Sequence, residues 1–408
     1  MNPLYNFGIA LYSAAVRVAS LRNRKARLLL SGQRRTPGIL RDKIDKKSSY
    51  IWIHVSSLGE FEQGRPLIEM LRERQPQKKI LLTFFSPSGY EVRKNYPEAD
   101  VICYLPFDTP HNVRRFLDAV NVEMAIFVKY EFWGNYLQEL ARRNIPTYIT
   151  SAIFRPTQVF FRPYGVMFRH ILKCYRELFV QDRESADLLA EIGITNVKIF
   201  GDTRFDRVSD ILDHRKDLPI VEEFSRGAFT LMAGSSWEPD EDLIIPFFNR
   251  TPDIKLVLAP HELSKDRITL LMSKIKRPTV LYSTTTPEEA AEADCLIIDT
   301  YGILSQSYRF ASAAYIGGGF GAGIHNINEA AVFGIPVVFG PNYKKFKEAR
   351  DLLRLGGAFS VTNAAECDDI LEKLHTDGKF LQVHGEIAGR YIRENLGATE
   401  RIYNFLFK

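Results

Sequence analysis

The chain has 408 residues, of which 45% are hydrophobic and 25% charged, and its formal net charge is +5. A chain of this length exceeds one small core, so the sequence predicts a globular protein with two domains. The mild positive charge, without a long lysine and arginine block, argues against nucleic-acid binding. Four cysteines without CxxC spacing provide neither a disulfide framework nor a zinc site.

The N-terminal segment combines an uncharged apolar stretch with a basic cluster. Residues 4–16 carry no charge, and arginines and lysines are frequent from position 17 to position 35. This order is the reverse of a cleaved signal peptide, and the stretch is shorter than the roughly 20 residues that span a bilayer. We therefore expect residues 1–35 to form an anchor on an anionic membrane surface, with the rest of the chain in the cytoplasm. The alternative is an amphipathic helix packed on the protein's own core.

Apolar runs alternate with helical patterns along the rest of the chain. The first series of predicted strands comprises residues 50–55, 79–85, 101–105, 122–128, 146–150, 177–180 and 197–200. The second series comprises residues 228–233, 254–259, 279–283, 295–299, 313–317 and 336–340. Continuous apolar strands joined by helical crossovers predict parallel sheets covered on both faces. The fold class is therefore α/β, with two α/β/α domains at 36–205 and 227–408 and a polar linker at 206–226.

The residues that follow each strand are the candidate site, because ligands of such sheets bind beyond the carboxyl ends of the strands. In a two-domain version, we expect the ligand site between the domains. After the first strand, Ser57 and Gly59 lie in a tight turn and Glu60 opens the next helix. Glu60 is either a cap at a favourable helix terminus or a general base that takes a proton from a hydroxyl.

Two further turns of the first domain carry polar residues. Ser86 and Gly89 follow the second strand in a Ser/Gly turn that predicts a backbone-amide pocket for an anion or a sugar oxygen. Lys129 and Glu131 follow the fourth strand, and Glu131 either orients a substrate or pairs with Lys129.

Residues 154–173 interleave aromatic side chains with arginines, Arg162 among them. This pattern suits a membrane interface that bears phosphorylated lipid. The alternative is a core helix with a solvated basic edge.

The first two strands of the second domain end in small or polar residues. Gly234 and Ser235 form a small-residue turn ahead of a helix, and Pro260 and His261 follow the next strand. The acids at 240–242 formally match a DxD metal motif. Because they follow Pro239 in the first turn of a predicted helix, where acids are common, we expect no metal site there.

The loop 317–323 precedes a predicted helix over 325–334 and is rich in glycine. Bare backbone lets a ligand approach closely, and a helix N-terminus favours a phosphate. Asn326 and Glu329 lie three residues apart on one helical face, and a glutamate accepts hydrogen bonds from paired ribose hydroxyls. The stretch therefore predicts a nucleotide pocket. Residues 317–322 also fit a dinucleotide fingerprint, but no acid follows at the required distance, which disfavours hydride transfer.

Taken in order, these motifs resemble the 3-deoxy-D-manno-octulosonic acid (Kdo) transferases of lipid A. The resemblance rests on HVSSLGE, KYEFWGN, VQDRESADLLAEIG, GDTRFD, AGSS, LIIDTYG and the long GGGF to FGP segment. It implies the GT-B fold, with two Rossmann-like domains. It also implies an inverting, cofactor-independent and metal-independent transfer of Kdo from CMP-Kdo to the lipid A precursor lipid IVA. That reaction belongs to lipopolysaccharide core biosynthesis, at the cytoplasmic face of the inner membrane.

The resemblance also assigns roles to residues. Glu60 corresponds to the catalytic base. The other predicted acceptor-domain contacts are Ser57, Gly59, Ser86, Gly89, Lys129, Glu131 and Arg162. The predicted nucleotide contacts are Arg204, Gly234, Ser235, Pro260, His261, Gly318, Gly319, Gly321, Gly323, His325, Asn326 and Glu329.

Two positions depart from the family pattern. Arg204 stands where many members have lysine, and the segment around Pro260 and His261 lacks the arginine of the family's Pro-Arg-His. Two alternatives stay open on residues alone: a UDP-sugar transferase or epimerase of the same fold, and a membrane-attached nucleotide-binding protein without enzymatic activity.

Overall fold

The computed structural model describes residues 3–213 and 216–408. The chain divides into two compact units. Unit 1 comprises Met1–Arg207 and Leu396–Lys408, and unit 2 comprises Val208–Asn395. Each unit has one seven-stranded parallel sheet with helices between successive strands, which confirms the predicted α/β fold class.

Unit 1 begins with two helices and continues as alternating strands and helices. Its strands are β1 (Tyr50–Val55), β2 (Lys79–Phe84), β3 (Val101–Tyr104), β4 (Val122–Val128), β5 (Thr147–Ala152), β6 (Glu177–Val180) and β7 (Val197–Ile199). Its helices are α1 (Pro3–Ala19), α2 (Arg24–Lys43), α3 (Leu58–Arg74), α4 (Pro87–Arg93), α5 (Pro110–Ala119), α6 (Gly134–Arg142), α7 (Val166–Leu172) and α8 (Arg183–Glu191). Helix α9 (Arg204–Asp213) carries the chain into unit 2.

The sheet of unit 1 has the strand order β3-β2-β1-β4-β5-β6-β7. Successive side chains of β1 pack on opposite faces: Trp52 belongs to one hydrophobic cluster, while Ile51 and Ile53 belong to another. All six residues of β1 are buried. Burial on both faces explains why the strand reads as a continuous apolar run. His54, near the carboxyl end of β1, is the polar exception.

Unit 2 repeats the alternation. Its strands are β8 (Phe229–Ser236), β9 (Ile254–Pro260), β10 (Thr279–Leu281), β11 (Cys295–Ile297), β12 (Ala313–Ile316), β13 (Val337–Phe339) and β14 (Ala358–Ser360). Its helices are α10 (Pro219–Ser225), α11 (Glu238–Arg250), α12 (Lys265–Lys274), α13 (Pro287–Glu292), α14 (Leu304–Ser307), α15 (Asn328–Ala331), α16 (Lys347–Leu355), α17 (Ala364–Thr376) and α18 (Gly378–Glu394). The strand order is β10-β11-β9-β8-β12-β13-β14. The short edge strand β14 was not predicted.

The observed unit boundaries differ from the predicted linker at 206–226. Helix α10 lies inside that range and buries Val221 and Phe224 completely in unit 2, so much of the polar stretch belongs to a folded core. Residues 214 and 215 of the predicted linker lie outside the described residues.

The C-terminal segment also departs from the predicted domain 227–408, because helix α19 (Ala398–Phe407) belongs to unit 1. Ile402 is fully buried in the same hydrophobic cluster as strands β1 and β2. The carboxylate of Asp206 accepts hydrogen bonds from the backbone N–H of Gly397 (2.5 Å) and Thr399 (2.6 Å) at the start of α19. Sequence periodicity cannot assign a helix to a distant domain, which is why this return was missed.

Helix α1 directs its polar side chains inward and its apolar side chains outward. The Tyr5 hydroxyl donates to Asp108 over 2.6 Å, and Asn135 donates to Asn6 over 2.9 Å. The exposed fraction is between 62% and 69% for the apolar residues Leu4, Phe7, Leu11 and Val18. The predicted anchor therefore lies partly against the body of unit 1, while its apolar face is uncovered in the structure; its residues 1 and 2 lie outside the described residues.

The same N-terminal region was tested for membrane-spanning helices. Among the described residues, no single helix is both long and apolar enough to cross a bilayer. Helices α1 and α2 have the length and hydropathy of a membrane span only when they are taken together, and the pair is bent by 117°.

Candidate active site

The candidate residues of each unit lie where the strand order of its sheet reverses. In unit 1 the reversal falls between β1 and β4, and in unit 2 it falls between β8 and β12. Glu60 follows β1 and Glu131 follows β4, while the glycine loop 317–323 follows β12. Ligands of open α/β sheets bind at such switch points. Each unit therefore presents one candidate site.

Glu60 lies in the first turn of α3 and is partly exposed. The Ser57 hydroxyl donates a hydrogen bond to its carboxylate. The Ser56 carbonyl accepts the backbone N–H groups of Phe85 (3.2 Å) and Ser86 (2.6 Å), which ties the turn to the end of β2. The turn is thereby fixed from two strands, and it holds an ionisable oxygen at the edge of the sheet.

Ser86 and Gly89 support this turn from the neighbouring strand. The Ser86 side chain accepts the Ser88 amide over 3.3 Å and so caps its own helix, α4. A Cβ atom at position 89 would lie 3.0 Å from the backbone carbonyl carbon of Ser57 and would overlap the Phe84 ring. The structural role of Gly89 is therefore to let α4 pack against the Ser57 turn.

Glu131 is a buried carboxylate at the end of a hydrogen-bond chain. The Trp52 indole donates to the Thr83 hydroxyl (2.8 Å), which lies 2.8 Å from His54 Nδ1. His54 Nε2 lies 3.1 Å from Glu131 Oε2, which also accepts the Trp133 indole N–H over 2.5 Å. His54 Nδ1 also lies 3.1 Å from the Thr83 carbonyl oxygen, and His54 Nε2 faces the Glu131 carboxylate, which can only accept a hydrogen bond when ionised.

This hydrogen-bond chain fixes the position of Glu131, for which the sequence left two roles open. The contacts seen are with His54 and Trp133, which hold the carboxylate rigidly at the switch point. The backbone of Lys129, two residues earlier in the same loop, adopts the left-handed region with φ 72°, and its ammonium lies 5.3 Å from the Tyr130 ring centroid.

Arg204 is held by the buried Asp202. Its guanidinium lies 2.8 Å from Asp202 Oδ2, and Gln63 donates to the other carboxylate oxygen over 2.9 Å. Burial opposes ionisation of Asp202, but Arg204 and these hydrogen bonds together hold its pKa below the usual value. Arg204 and Glu60 both act electrostatically on the Tyr130 hydroxyl, so they lie in one neighbourhood of unit 1.

The aromatic-basic stretch 154–173 is only partly exposed. Phe154 and Phe160 are buried, and Arg169 donates to the Phe160 carbonyl over 2.9 Å. Arg162 is exposed, and so is Tyr164, with 74% of its surface accessible. The buried phenylalanines match the core alternative, while the exposed positions keep an interfacial role open for Arg162.

In unit 2, the glycines of the loop after β12 bring backbone segments together. Gly318 has φ 90°, a region that favours glycine, and its N–H donates to Asp240 over 2.9 Å. A Cβ at Gly319 would lie 2.6 Å from the Gly340 backbone, so the loops after β12 and β13 touch. The N–H groups of Gly321 and Gly323 point to the Gly318 carbonyl. Three of the amides that were predicted to meet a phosphate thus have internal acceptors.

Three aromatic rings from different strand ends form a stack beside this loop. Trp237 follows β8, His261 follows β9, and His325 follows the glycine loop. The ring centroids of Trp237 and His261, and of His261 and His325, are each 4.6 Å apart. The Trp237 indole donates to His325 Nε2 over 3.3 Å, which selects the neutral ring with its proton on Nδ1. Burial and the His261 ring lower the pKa of His325 below the usual 6.5.

Asn326 and Glu329 contact each other, as their spacing predicts: Asn326 donates to Glu329 Oε1 over 3.0 Å. The predicted helix over 325–334 is wrong in length, because α15 contains only Asn328–Ala331. Burial, and in addition the charge of Glu329, raises the pKa of Tyr308, whose hydroxyl packs against Gly234. Gly234, the buried Tyr308 and Glu329 therefore lie in one neighbourhood of unit 2.

The acids at 240–242 all serve the framework of unit 2. Asp240 accepts Gly318 N–H and the Tyr315 hydroxyl, and burial raises its pKa. Glu241 is completely buried and pairs with Arg267, and Asp242 lies 2.8 Å from Lys274. These side chains hold the glycine loop and α11 in place.

Sequence reasoning did not select several of these residues. His54, Asp202, Trp237 and Asp240 all lie at carboxyl ends of strands or in the first turn that follows. A polar side chain at the end of an otherwise apolar strand is the one sequence signal that points to His54.

Comparison with known proteins connects these sites to one family. The family model of 3-deoxy-D-manno-octulosonic-acid transferase (kdotransferase) matches residues 24–207. The 3-deoxy-D-manno-octulosonic acid transferase of Aquifex aeolicus is 27% identical over 84% of this chain and 92% of its own length. The transferase of the same name from Haemophilus influenzae is 25% identical over 87% of this chain and 86% of its own. The chain is thus similar to Kdo transferases over most of its length, and residues 24–207 match the model of that family. These similarities support a glycosyltransferase.

Solved structures place the fold of this chain in the GT-B class. UDP-GlcNAc 2-epimerase from Neisseria meningitidis is 14% identical, with a TM-score of 0.62 over 88% of this chain and 99% of its own. MurG of Acinetobacter baumannii is 10% identical, with a TM-score of 0.58 over 88% of this chain and 98% of its own. At these identities the likeness concerns the fold alone.

The two positions at which this chain departs from the Kdo transferase pattern have structural counterparts. Arg204 forms a two-point contact with Asp202 through its Nε and terminal nitrogen, which a lysine would make through one ammonium. The chain has His261 in the ring stack beside Pro260, and the next arginine, Arg267, pairs with the buried Glu241. The arginine of the family's Pro-Arg-His therefore has no evident successor in this segment.

Proposed function

We propose that this Kdo transferase moves Kdo from CMP-Kdo to the lipid A precursor lipid IVA with inversion, without a metal ion, and with Glu60 as the general base. The observation that carries this proposal is the position of Glu60. Its carboxylate follows β1 at the switch point of unit 1 and is oriented by the Ser57 hydroxyl. A fixed, partly exposed carboxylate at such an edge suits proton abstraction from a hydroxyl.

In this mechanism, Glu60 takes the proton of a glucosamine hydroxyl of the acceptor. The acceptor oxygen forms a bond to the anomeric carbon of Kdo from the face opposite CMP, and the bond from that carbon to the phosphate oxygen breaks. The pair of electrons leaves with CMP. Glu131, held by His54 and Trp133, would position the acceptor or the sugar through the rigid carboxylate that the hydrogen-bond chain provides.

Unit 2 would bind the donor nucleotide. Glu329, oriented by Asn326, would accept the ribose hydroxyls, and the bare loop 317–323 would let the phosphate approach the backbone. Because the N–H groups of Gly318, Gly321 and Gly323 already have acceptors, fixed dipoles of the remaining loop and cations such as Arg204 would stabilise the departing phosphate. Preorganised groups of this kind often supply several kcal/mol of transition-state stabilisation.

A lipid acceptor would explain why the apolar face of α1 is exposed, because the acceptor lies in a membrane. We propose that Leu4, Phe7, Leu11 and Val18 lie in the interface of the inner membrane, on its cytoplasmic side. The nearby arginines would then face anionic headgroups. Helix α1 contacts the loops after β2, β3 and β4 through Tyr12 and Tyr5, so the helix that carries this face lies beside the acceptor edge of unit 1.

Product analysis tests the proposal. The purified protein is incubated with CMP-Kdo and lipid IVA, and mass spectrometry is expected to show the mass of one or more Kdo residues added to the acceptor. CMP, but not UDP, is expected to raise the melting temperature. Protection by UDP alone, with no Kdo-containing product, would overturn the proposal in favour of a UDP-sugar enzyme of the same fold.

A further inference from the structure

A cavity of about 690 Å³ lies within unit 1, away from Glu60 and Glu131. It is bounded by α2, α5 and the loop that follows β3. Its floor is apolar and includes Leu30, Pro37, Leu40, Ile44, Phe107 and Phe116. Its rim is cationic and includes Arg17, Arg34, Arg41, Lys46 and Arg115. A volume of this size is typical of sites for small organic ligands.

The cavity is built into the packed framework. Thr36 donates to the Tyr104 carbonyl over 2.8 Å, and Gln33 donates to the Leu105 carbonyl over 2.8 Å, so α2 is fixed against the end of β3. At the next positions along α2, Pro37 and Gly38 line the cavity. A Cβ atom added at Gly38 would meet nothing within 4 Å. The absence of a side chain at this position therefore keeps part of the space open.

One of the five rim cations, Arg41, pairs with the neighbouring Asp42 over 3.0 Å. Within residues 3–213 and 216–408, no carboxylate lies within 4 Å of the charged atoms of Arg17, Arg34, Lys46 or Arg115. The one acid of the lining, Asp118, lies 2.6 Å from Arg143. Uncompensated cations around an apolar floor are complementary to an amphiphile with an anionic head and an apolar tail.

The rim of the cavity continues into the apolar face of α1. Arg17 belongs to the last turn of α1, next to Val18, which is 69% exposed, and Leu21, which is 76% exposed. We infer that the cavity between α2 and α5 binds the phosphate headgroup of an anionic phospholipid from the bilayer on which α1 lies. This inference rests on the membrane attachment proposed above, and it assigns that attachment a specific lipid site that is separate from the acceptor site.

The first test compares two double variants that remove the same charge. In R34Q/R115Q both cations belong to the cavity. In R35Q/R114Q each substitution lies one residue away on the same helix and outside the cavity lining. Co-sedimentation with vesicles of phosphatidylcholine alone, or with phosphatidylglycerol added, measures the partition coefficient at constant ionic strength. We expect the phosphatidylglycerol-dependent partition to fall at least tenfold further for R34Q/R115Q than for its control, with binding to neutral vesicles unchanged.

A second variant tests the cavity without changing charge. Gly38→Trp should fill the open space, since no atom obstructs a side chain at that position, whereas Gly38→Ala adds only a methyl group. We expect G38W to lose most of the phosphatidylglycerol-dependent partition and G38A to keep it. Transfer of Kdo to detergent-dispersed acceptor should remain at the wild-type level in all these variants, which shows that they are folded and separates this test from that of the catalytic proposal.

Five outcomes would overturn the inference. Equal losses in the two double variants would indicate a diffuse basic surface, and full binding by G38W would show that the cavity is empty on the membrane. Competition by inorganic phosphate at the same ionic strength would indicate a site for a soluble anion, and displacement of phosphatidylglycerol by lipid IVA would make the cavity part of the acceptor site. A wild-type protein that binds neither kind of vesicle would overturn the membrane proposal as well.

Discussion

The two switch points of the molecule use the same strand geometry for different chemistry. In unit 1 the loops after β1 and β4 present carboxylates, and the nearby loop after β7 holds the Asp202–Arg204 pair. In unit 2 the loops after β8, β9 and β12 present a glycine backbone and three stacked rings, with His325 neutral. The switch point of unit 1 therefore presents mainly charged side chains, whereas that of unit 2 presents mainly backbone and aromatic rings.

The difference suggests a division of labour. A group that moves a proton must be ionisable and held in place, as Glu60 is by Ser57. A surface that recognises a nucleotide needs close approach and flat neighbouring groups, as the loop 317–323 and Trp237 provide. Substitutions in unit 1 should therefore act on turnover or on the local ion pair, and those in unit 2 on nucleotide binding.

The largest effect is expected for Glu60→Gln, which keeps the hydrogen bond from Ser57 but cannot accept a proton. Turnover should fall by about 10²- to 10⁴-fold. Protection by CMP in a thermal shift should be unchanged, because the proposed nucleotide site belongs to unit 2. Glu73→Gln, on the exposed end of the same helix, is the control and should keep wild-type turnover. Turnover near that of the wild type in E60Q would remove Glu60 from the mechanism.

Next in size is the loss of stability expected for Arg204→Ala. The buried Asp202 would lose its ion-pair partner, at a cost of about 3 kcal/mol in the free energy of unfolding. Chemical denaturation measures this change. Arg183→Ala, which removes an exposed ion pair with Asp187, should change stability by no more than about 0.5 kcal/mol. Equal stability of R204A and wild type would mean that Asp202 does not depend on this arginine.

The glycine loop offers a matched pair in unit 2. Gly319→Ala would place a methyl group 2.6 Å from the Gly340 backbone, which must move, at a cost of about 1–3 kcal/mol. In Gly321→Ala the nearest atom would be 3.7 Å away, so this variant should be tolerated. We expect thermal protection by CMP to be lost in G319A and kept in G321A. Protection kept in G319A and lost in G321A would show that nucleotide binding does not depend on the contact between Gly319 and Gly340.

The smallest effect is expected for Trp237→Phe, which keeps a ring in the stack but removes the N–H that His325 Nε2 accepts. In the wild type the folded-state pKa of His325 is below 6.5, so the unfolded state binds the proton more readily and unit 2 loses stability as the pH falls below 6.5. In W237F the pKa should rise towards 6.5 and stability should fall by about 1 kcal/mol. Titration of the His325 ring by NMR measures the shift, and an unchanged pKa would assign the lowering to burial and the His261 ring, without a contribution from Trp237.

The sequence predicted the strands well because each is an apolar run buried on both faces. Thirteen of the fourteen strands lie at predicted positions, and only β14 was missed. The candidate residues at strand ends followed from the same logic, since parallel strands bring their carboxyl ends to one edge. Glu60, Glu131 and Glu329 were found in this way.

The rest depended on contacts between distant segments, which periodicity does not encode. Nothing in the local pattern says that Asp240 holds the Gly318 amide, or that the turn after β9 supplies a ring to the stack with His325. Helix α15 is shorter than its apolar pattern, because Asn326 accepts the Asn328 amide and shapes the preceding loop instead.

The return of α19 to unit 1 bears on how the protein is made. The sheet of unit 1 leaves the ribosome early. Helix α19, whose Ile402 packs into the cluster of β1, β2 and α3, is translated only after the whole of unit 2. Until then an apolar strip of the nascent chain is open to other surfaces, including chaperones. The fold of unit 1 is therefore complete only after unit 2 has been synthesised.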